Sequence, residues 1–438
     1  MNKLFNFAGL LAPVAIMAAT FAEQLSRQNA ATGPVKVAVR REANGSFQLL
    51  RAGKAYFIKG AGGSQYPERI AAYGGNSIRT WDTRNAVKVL QDANAHNLTV
   101  MLGLDVARER HGFDYNNPAA VAKQLQTMRA EVLKYKDNPA LLVWAIGNEL
   151  NLDYKNPKVW DAVNDLARMI HEVDPNHPTT TVLAGVSAKE VAYIKARCPA
   201  VDVLSVNTYA GLTTIPQEVK AAGWAGPYIV GEWGPTGHWE CAQTPWKASV
   251  EETSSQKAAM YQARYEASVP KDQVHCLGSY VFLWGQKQER TPTWYGLFTE
   301  DGQESEVMDV MQYLWTGKWP TNRAPHLASF LVDGKQGTDN IYLKPGATCP
   351  VVAQVTDPDQ DPLTYRWEVL PEPTELSQGG DFEKRPQPVA GALTGTAAQG
   401  LLRAPDKPGA YRVFVYASDG HNNVATANAP FYVGQQSN

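Results

Sequence analysis

Hydrophobic positions along this chain follow two different periods. Through residue 316, short apolar runs alternate with stretches of helical spacing. Beyond the Pro-rich segment that follows, the spacing drops to two. Eight apolar runs, at residues 56–60, 77–81, 99–104, 141–146, 180–184, 203–207, 228–231 and 278–283, are bounded by Gly or Pro and read as buried parallel strands. Helical patterns fill the gaps at 67–73, 85–96, 118–136, 157–173, 188–197, 216–222 and 250–268, and an eighth follows at 304–315. Pro67, Pro118, Pro157 and Pro216 stand at helix starts, where a missing N–H costs nothing. Eight strand–helix units in succession predict a closed (β/α)8 barrel of the TIM class rather than an open sheet. Ahead of them, alternation over 35–40, an Asn44-Gly45 turn and an apolar pattern over 47–50 predict a hairpin that closes the barrel bottom.

The barrel is therefore expected over 35–318, a linker over 319–325 and a second domain over 326–438. In that domain the runs at 341–343, 351–355, 363–369, 411–416 and 431–433 predict a small all-β, immunoglobulin-like sandwich. A chain of 438 residues accommodates both, and the class is α/β with an all-β appendage.

Lys+Arg number 41 against 43 Asp+Glu, so no basic excess points to a nucleic-acid partner. Lys3, an uncharged apolar run over 10–19 and small residues over 18–22 read as an export signal at 1–22, which implies a secreted or periplasmic protein. The run is too short to span a bilayer as a helix, and no stable membrane insertion is expected once it is cleaved. Cys198, Cys241, Cys276 and Cys349 lack the spacing of a zinc site. In an exported chain they could pair in any of three ways, or stay free and buried.

Two carboxylates end apolar strands. Val143-Trp144-Ala145-Ile146-Gly147-Asn148-Glu149 closes the fourth strand and Tyr228-Ile229-Val230-Gly231-Glu232-Trp233-Gly234 the seventh. A carboxylate there is costly in a plain core, and barrel active sites form at the C-terminal ends of the strands. An ion pair capping the barrel mouth would explain one such Glu. Two, on strands four and seven, point instead to glycoside hydrolysis, which needs two carboxyl groups flanking one bond.

These motifs resemble the clan A retaining glycosidases, which include family 2 β-galactosidases and β-glucuronidases, cellulases, mannanases and β-1,3-glucanases. The resemblance covers roughly residues 55–316. It implies Glu149 as acid/base, Glu232 as nucleophile and Asn148 as the residue that binds the sugar 2-hydroxyl. It further implies that Arg79, in Ser77-Ile78-Arg79-Thr80-Trp81, sits beside the nucleophile. Tyr209, in Asn207-Thr208-Tyr209, would touch it, and Trp284 would floor the sugar site. The retaining class implies a carboxyl separation of roughly 5–5.5 Å. Arg79 would supply the charge that keeps a nucleophile ionised, while burial and a neighbouring carboxylate would raise the pKa of Glu149.

Loop residues could line further subsites, His111 after strand three and Trp239 after strand seven among them. No HExxH, P-loop or GxSxG occurs, and no cofactor or metal is expected at the site. Asp357-Pro358-Asp359-Gln360-Asp361 in the second domain reads first as a turn and second as a calcium loop. A bare barrel followed by one immunoglobulin-like module is similar to bacterial endo-β-1,3-glucanases, whereas family 2 enzymes place sandwich domains before the barrel. The expectation is a monomeric, endo-acting β-glucanase acting on polysaccharide or oligosaccharide, with β-1,3 linkage favoured. An exo-acting β-glycosidase or transglycosylase of the same clan is the alternative. A non-catalytic carbohydrate-binding scaffold would predict the loss of one carboxylate.

Overall fold

The computed structural model describes residues 33–377 and 379–435. The expected export signal lies outside them. Among the described residues no helix is long and apolar enough to cross a membrane.

Eight parallel strands close into a barrel. In chain order they are Ile58–Gly62, Ser77–Arg79, Thr99–Leu104, Leu141–Asn148, Thr179–Ala184, Val203–Asn207, Tyr228–Trp233 and Cys276–Phe282, each paired with its sequence neighbours and the last with the first. All six residues of Thr99–Leu104 and all eight of Leu141–Asn148 are buried, as expected for strands covered on both faces. Eight helices form the outer layer: Pro67–Ala72, Ala86–Ala95, Pro118–Tyr135, Lys158–Val173, Ala188–Arg197, Ile215–Ala221, Ser254–Ala267 and Glu306–Thr316. Helix Ser254–Ala267 starts later than the apolar spacing from Val250 suggests. Thr253 and Gln256 form a reciprocal capping box there, which fixes the boundary by satisfying free N–H groups.

Strands Val37–Arg41 and Phe47–Arg51 make the hairpin. Val37 and Leu49 pack with Ile58, Leu142, Val203, Ile229 and Leu277, near the N-terminal ends of the barrel strands. The hairpin thus covers the end opposite the strand termini that carry Glu149 and Glu232.

Residues 326–433 build two further sheets around a separate core containing Val351, Leu402, Val413, Val415 and Phe431. The segment at 319–325 is pinned rather than free. Trp319 stacks on Tyr313 at 4.4 Å, and Arg323 pairs with Asp309 at 2.8 Å. The barrel's last loop also enters the module, where strand Glu304–Ser305 pairs with Asn423–Val433. All four cysteines are free.

Candidate active site

Both strand ends that carry a candidate glutamate are bulged. The pairing of Leu141–Asn148 with Thr179–Ala184 slips between Ala145 and Asn148. That of Tyr228–Trp233 with Val203–Asn207 slips between Val230 and Glu232. A bulge inserts an extra residue and re-aims the side chains after it, which is how a barrel rim turns a strand residue toward the axis. Gly147 takes φ +71° and Glu149 φ +52°, so the chain leaves the strand through two left-handed residues. Glycine adopts that conformation freely, while glutamate is held there at a cost, with its N–H donated to the Val182 carbonyl at 2.9 Å. At Gly231 a Cβ would lie 2.8 Å from Asn207 Oδ1 and 3.2 Å from Arg79 Nη1, so the network beside Glu232 needs glycine for room.

Glu232 is buried and receives three donors. Trp81 Nε1 donates to Oε1 at 2.7 Å, Tyr209 Oη donates to Oε2 at 3.0 Å, and Arg79 Nη1 pairs with Oε1 at 3.1 Å. Charge-assisted hydrogen bonds of this kind fix both oxygens in place. Burial and the Glu232 charge push the Tyr209 phenol well above its ordinary pKa, so it serves as a neutral donor.

Glu149 is in a different environment. Burial first, then the negative charge of Glu232, raise its carboxyl to about 7. Asn207 Nδ2, donating to Oε1 at 2.9 Å, works in the opposite direction. Asn207 Oδ1 accepts from Arg79 Nη1 at 3.1 Å, so one continuous chain of bonds runs from Glu149 through Asn207 and Arg79 to Glu232. Asn148 Oδ1 accepts from Arg79 Nη2 at 2.6 Å and from Asn207 Nδ2 at 3.3 Å. With its oxygen engaged twice, the Asn148 amide nitrogen is the end left for a ligand.

Glu149, Glu232, Asn148 and Tyr209 line one cavity of about 330 Å³, together with Trp81, Trp239 and Phe282. Arg79 lies beneath it, 1% exposed and bonded to Asn148, Asn207 and Glu232. Trp239 stands at the rim, edge-on to Tyr209 at 5.3 Å. Two expected residues are elsewhere. Trp284 is fully buried, stacked on Trp315 at 5.8 Å and edge-on to Phe298, so it does not floor the cavity. The eighth strand ends at Phe282, and it is Phe282, not Trp284, that reaches the cavity; Trp284 follows in the loop and turns back into the outer core. His111 lies in the short helix Glu109–His111, outside the cavity, and meets Asp381 at 3.1 Å.

Trp81 and Asn207 carry roles that the sequence motifs alone do not assign: Asn207 ends its barrel strand, and Trp81 follows two residues after the strand that ends at Arg79. Their position at the C-terminal rim was the available signal. The cavity wall formed by Gly379, Gly380 and Asp381 of the C-terminal module had no sequence signal at all. In that module, Asp357, Asp361 and Asp419 bring carboxylate oxygens within 4.8 Å of one another. Asp359 is not among them and accepts from the Arg323 N–H instead.

Residues 64–272 match the family described as "Glycosyl hydrolases family 2, TIM barrel domain". No curated protein matches the chain. Among solved structures it is similar to the β-D-glucuronidase of Dictyoglomus thermophilum, at TM-score 0.51 and 19% identity over 65% of this chain and 54% of that one. A β-glucuronidase of Faecalibacterium prausnitzii gives TM-score 0.51 and 18% identity over 65% and 52%. An FMN-binding β-glucuronidase from F. prausnitzii L2-6 gives 0.52 and 16% over 92% and 59%. The chain spans a little over half the length of these structures, and at such identities the likeness is one of fold. The family match runs from the second barrel strand through the seventh, takes in both strand-end glutamates, and supports a glycoside hydrolase barrel of the clan A type.

Proposed function

We propose that the protein is a retaining, exo-acting β-glycosidase that releases a terminal sugar by double displacement, with Glu232 as nucleophile and Glu149 as acid/base. The observation that carries this reading is the unequal setting of two carboxyls on one cavity. Glu232 is held by Arg79, Trp81 and Tyr209, while burial and the neighbouring charge keep a proton on Glu149 to about pH 7. Two carboxyls in settings this unequal are suited to opposite roles.

In the first step Glu232 attacks the anomeric carbon, and Glu149 gives its proton to the departing oxygen as the glycosyl–enzyme bond forms. Glu149, now a carboxylate, takes a proton from water, and that water displaces Glu232 from the sugar. The Asn148 amide nitrogen is placed to hold the sugar 2-hydroxyl. Phe282 and Trp81 supply the apolar surface that Trp284 does not.

Exo action is favoured over the endo-acting β-1,3-glucanase expected from domain order. The cavity is at the small end of ligand sites, which suits a short saccharide rather than a threaded polymer. The β-glucuronidases of similar fold point the same way, since their names specify one β-linked sugar. Three cations that line the cavity are paired: Arg84 with Asp82, Arg108 with Asp105, and Lys287 with Glu289. That pairing favours a neutral hexose over a uronic acid. The test is a panel of p-nitrophenyl β-glucoside, galactoside, mannoside and glucuronide beside laminarin, with products read by chain length. Release of single sugars from a neutral β-hexoside is expected, and rapid production of mixed oligosaccharides from laminarin would overturn the exo assignment.

A further inference from the structure

The cavity has a wall that does not belong to the barrel. Gly379, Gly380 and Asp381 come from the C-terminal module and line the same space as Glu149 and Glu232. The loop that carries them is anchored at several points. Arg290, on the loop after the eighth barrel strand, pairs with Glu383 at 2.7 Å, and the Glu383 side chain is fully buried. The Arg290 backbone N–H donates to the other Glu383 oxygen at 2.7 Å, and the Ser377 backbone N–H donates to the first at 2.9 Å. Lys287 Nζ donates to the Gly380 carbonyl at 2.7 Å. Asp381 faces His111 at 3.1 Å and Arg110 at 3.9 Å, both on the loop after the third strand.

The loop's position within the cavity is also defined. A Cβ on Gly379 would lie 2.6 Å from Arg110 Nη2 and 3.0 Å from Leu152 Cδ2. Leu152 in turn donates its N–H to the Glu149 carbonyl at 3.0 Å. Gly379 and Gly380 both have positive φ, at +56° and +79°, so two glycines turn the chain where it passes over the guanidinium. The side of the cavity that holds Glu232 is built instead by Trp81 and Tyr209. The module therefore approaches the cavity beside Glu149. In the reaction proposed above Glu149 protonates the leaving group, so whatever lies beside it faces that group.

On the reading given under the proposed function, we infer that the C-terminal module completes the leaving-group subsite, with Asp381 as a specificity-determining residue that accepts hydrogen bonds from the hydroxyls of a saccharide leaving group. An ionised carboxylate has four acceptor sites. His111 and Arg110 approach Asp381 from the barrel, and its place on the cavity wall leaves acceptor capacity for sugar hydroxyls. A nitrophenyl leaving group offers no hydroxyl, and it departs with little help.

The experiment compares Asp381→Ala, Asp381→Asn and wild type on two substrates with the same terminal sugar. One is a β-linked disaccharide and the other the matching p-nitrophenyl β-glycoside. Loss of a hydrogen bond to a charged group predicts a fall in kcat/KM of about ten-fold or more on the disaccharide, with less than about two-fold on the aryl glycoside. Asp381→Asn, which keeps acceptor capacity, should recover part of the loss. A second variant, Arg290→Ala, frees Glu383 and should lower the same disaccharide-to-aryl ratio. Equal losses on both substrates, or none on either, would overturn the inference while leaving the glycosidase reading intact. Failure of the wild type to cleave any β-glycoside would overturn both.

Discussion

Removing the charge of Glu232 should shift the titration of Glu149, because that charge is the second largest influence raising it, after burial. Glu232→Gln is predicted to lower the Glu149 pKa below its value of about 7, as followed by carboxyl-carbon NMR. In the wild type kcat/KM should fall as pH rises through about 7, since the first step needs the proton on Glu149. Asn207→Ala removes a hydrogen bond that favours the ionised form, so this alkaline limb should move to higher pH. An unmoved limb would show that Asn207 does not tune the acid. The same shift bears on stability. A carboxyl whose pKa is higher folded than unfolded binds its proton more tightly in the folded state, so it favours folding in acid and costs stability as pH rises from its ordinary value to about 7. Glu149→Gln should therefore raise Tm most above pH 7 and little in acid.

At the scale of the element, the barrel rim depends on where glycine stands. Gly231→Ala would press a methyl group onto Asn207 and Arg79. A misplacement of this kind predicts about a hundred-fold loss of activity with the far-UV circular dichroism retained. Loss of the spectrum as well would mean that Gly231 serves folding rather than the site. Strand and helix order was legible in the sequence because apolar runs and helical spacing differ in period, and the strand-end glutamates stood out against the runs they closed. Register beyond a strand end was not legible. Trp284 looks like a mouth residue by position, yet the strand stops two residues earlier and Phe282 takes the place. The bulges that aim Glu149 and Glu232 are likewise invisible to periodicity, since an inserted residue changes pairing rather than composition. Asn207 and Trp81 were in plain view, and their roles come only from the three-dimensional meeting of strands two, four, six and seven.

For the whole molecule, the barrel and module share a buried polar seam. Arg412, 2% exposed, donates to the Ser249 carbonyl at 2.6 Å and to Asn428 at 2.6 Å, and pairs with Glu372 at 2.8 Å. Asn428 donates to Glu251 at 2.6 Å, and Glu251 pairs with Lys257 on the barrel's seventh helix. Arg412→Ala takes the charged donor from buried Asn428 and the Ser249 carbonyl and leaves half-buried Glu372 without its partner. It should cost about 3–5 kcal/mol in urea unfolding. With this seam intact, the two domains should unfold in one transition, and separate transitions in wild type would show that the seam does not couple them. The two periods of the chain distinguish the barrel from the all-β sheets that follow it, but long-range docking leaves no mark on local spacing. The module's part in the cavity wall was accordingly out of reach of sequence reasoning.

The most direct test uses 2,4-dinitrophenyl 2-deoxy-2-fluoro-β-glycosides, whose covalent intermediates break down slowly enough to isolate. Peptide mapping by mass spectrometry after inactivation should find the sugar on Glu232, in wild type and, more persistently, in Glu149→Ala. A label on any other residue, or turnover of the parent glycoside with inversion at the anomeric carbon, would contradict the account.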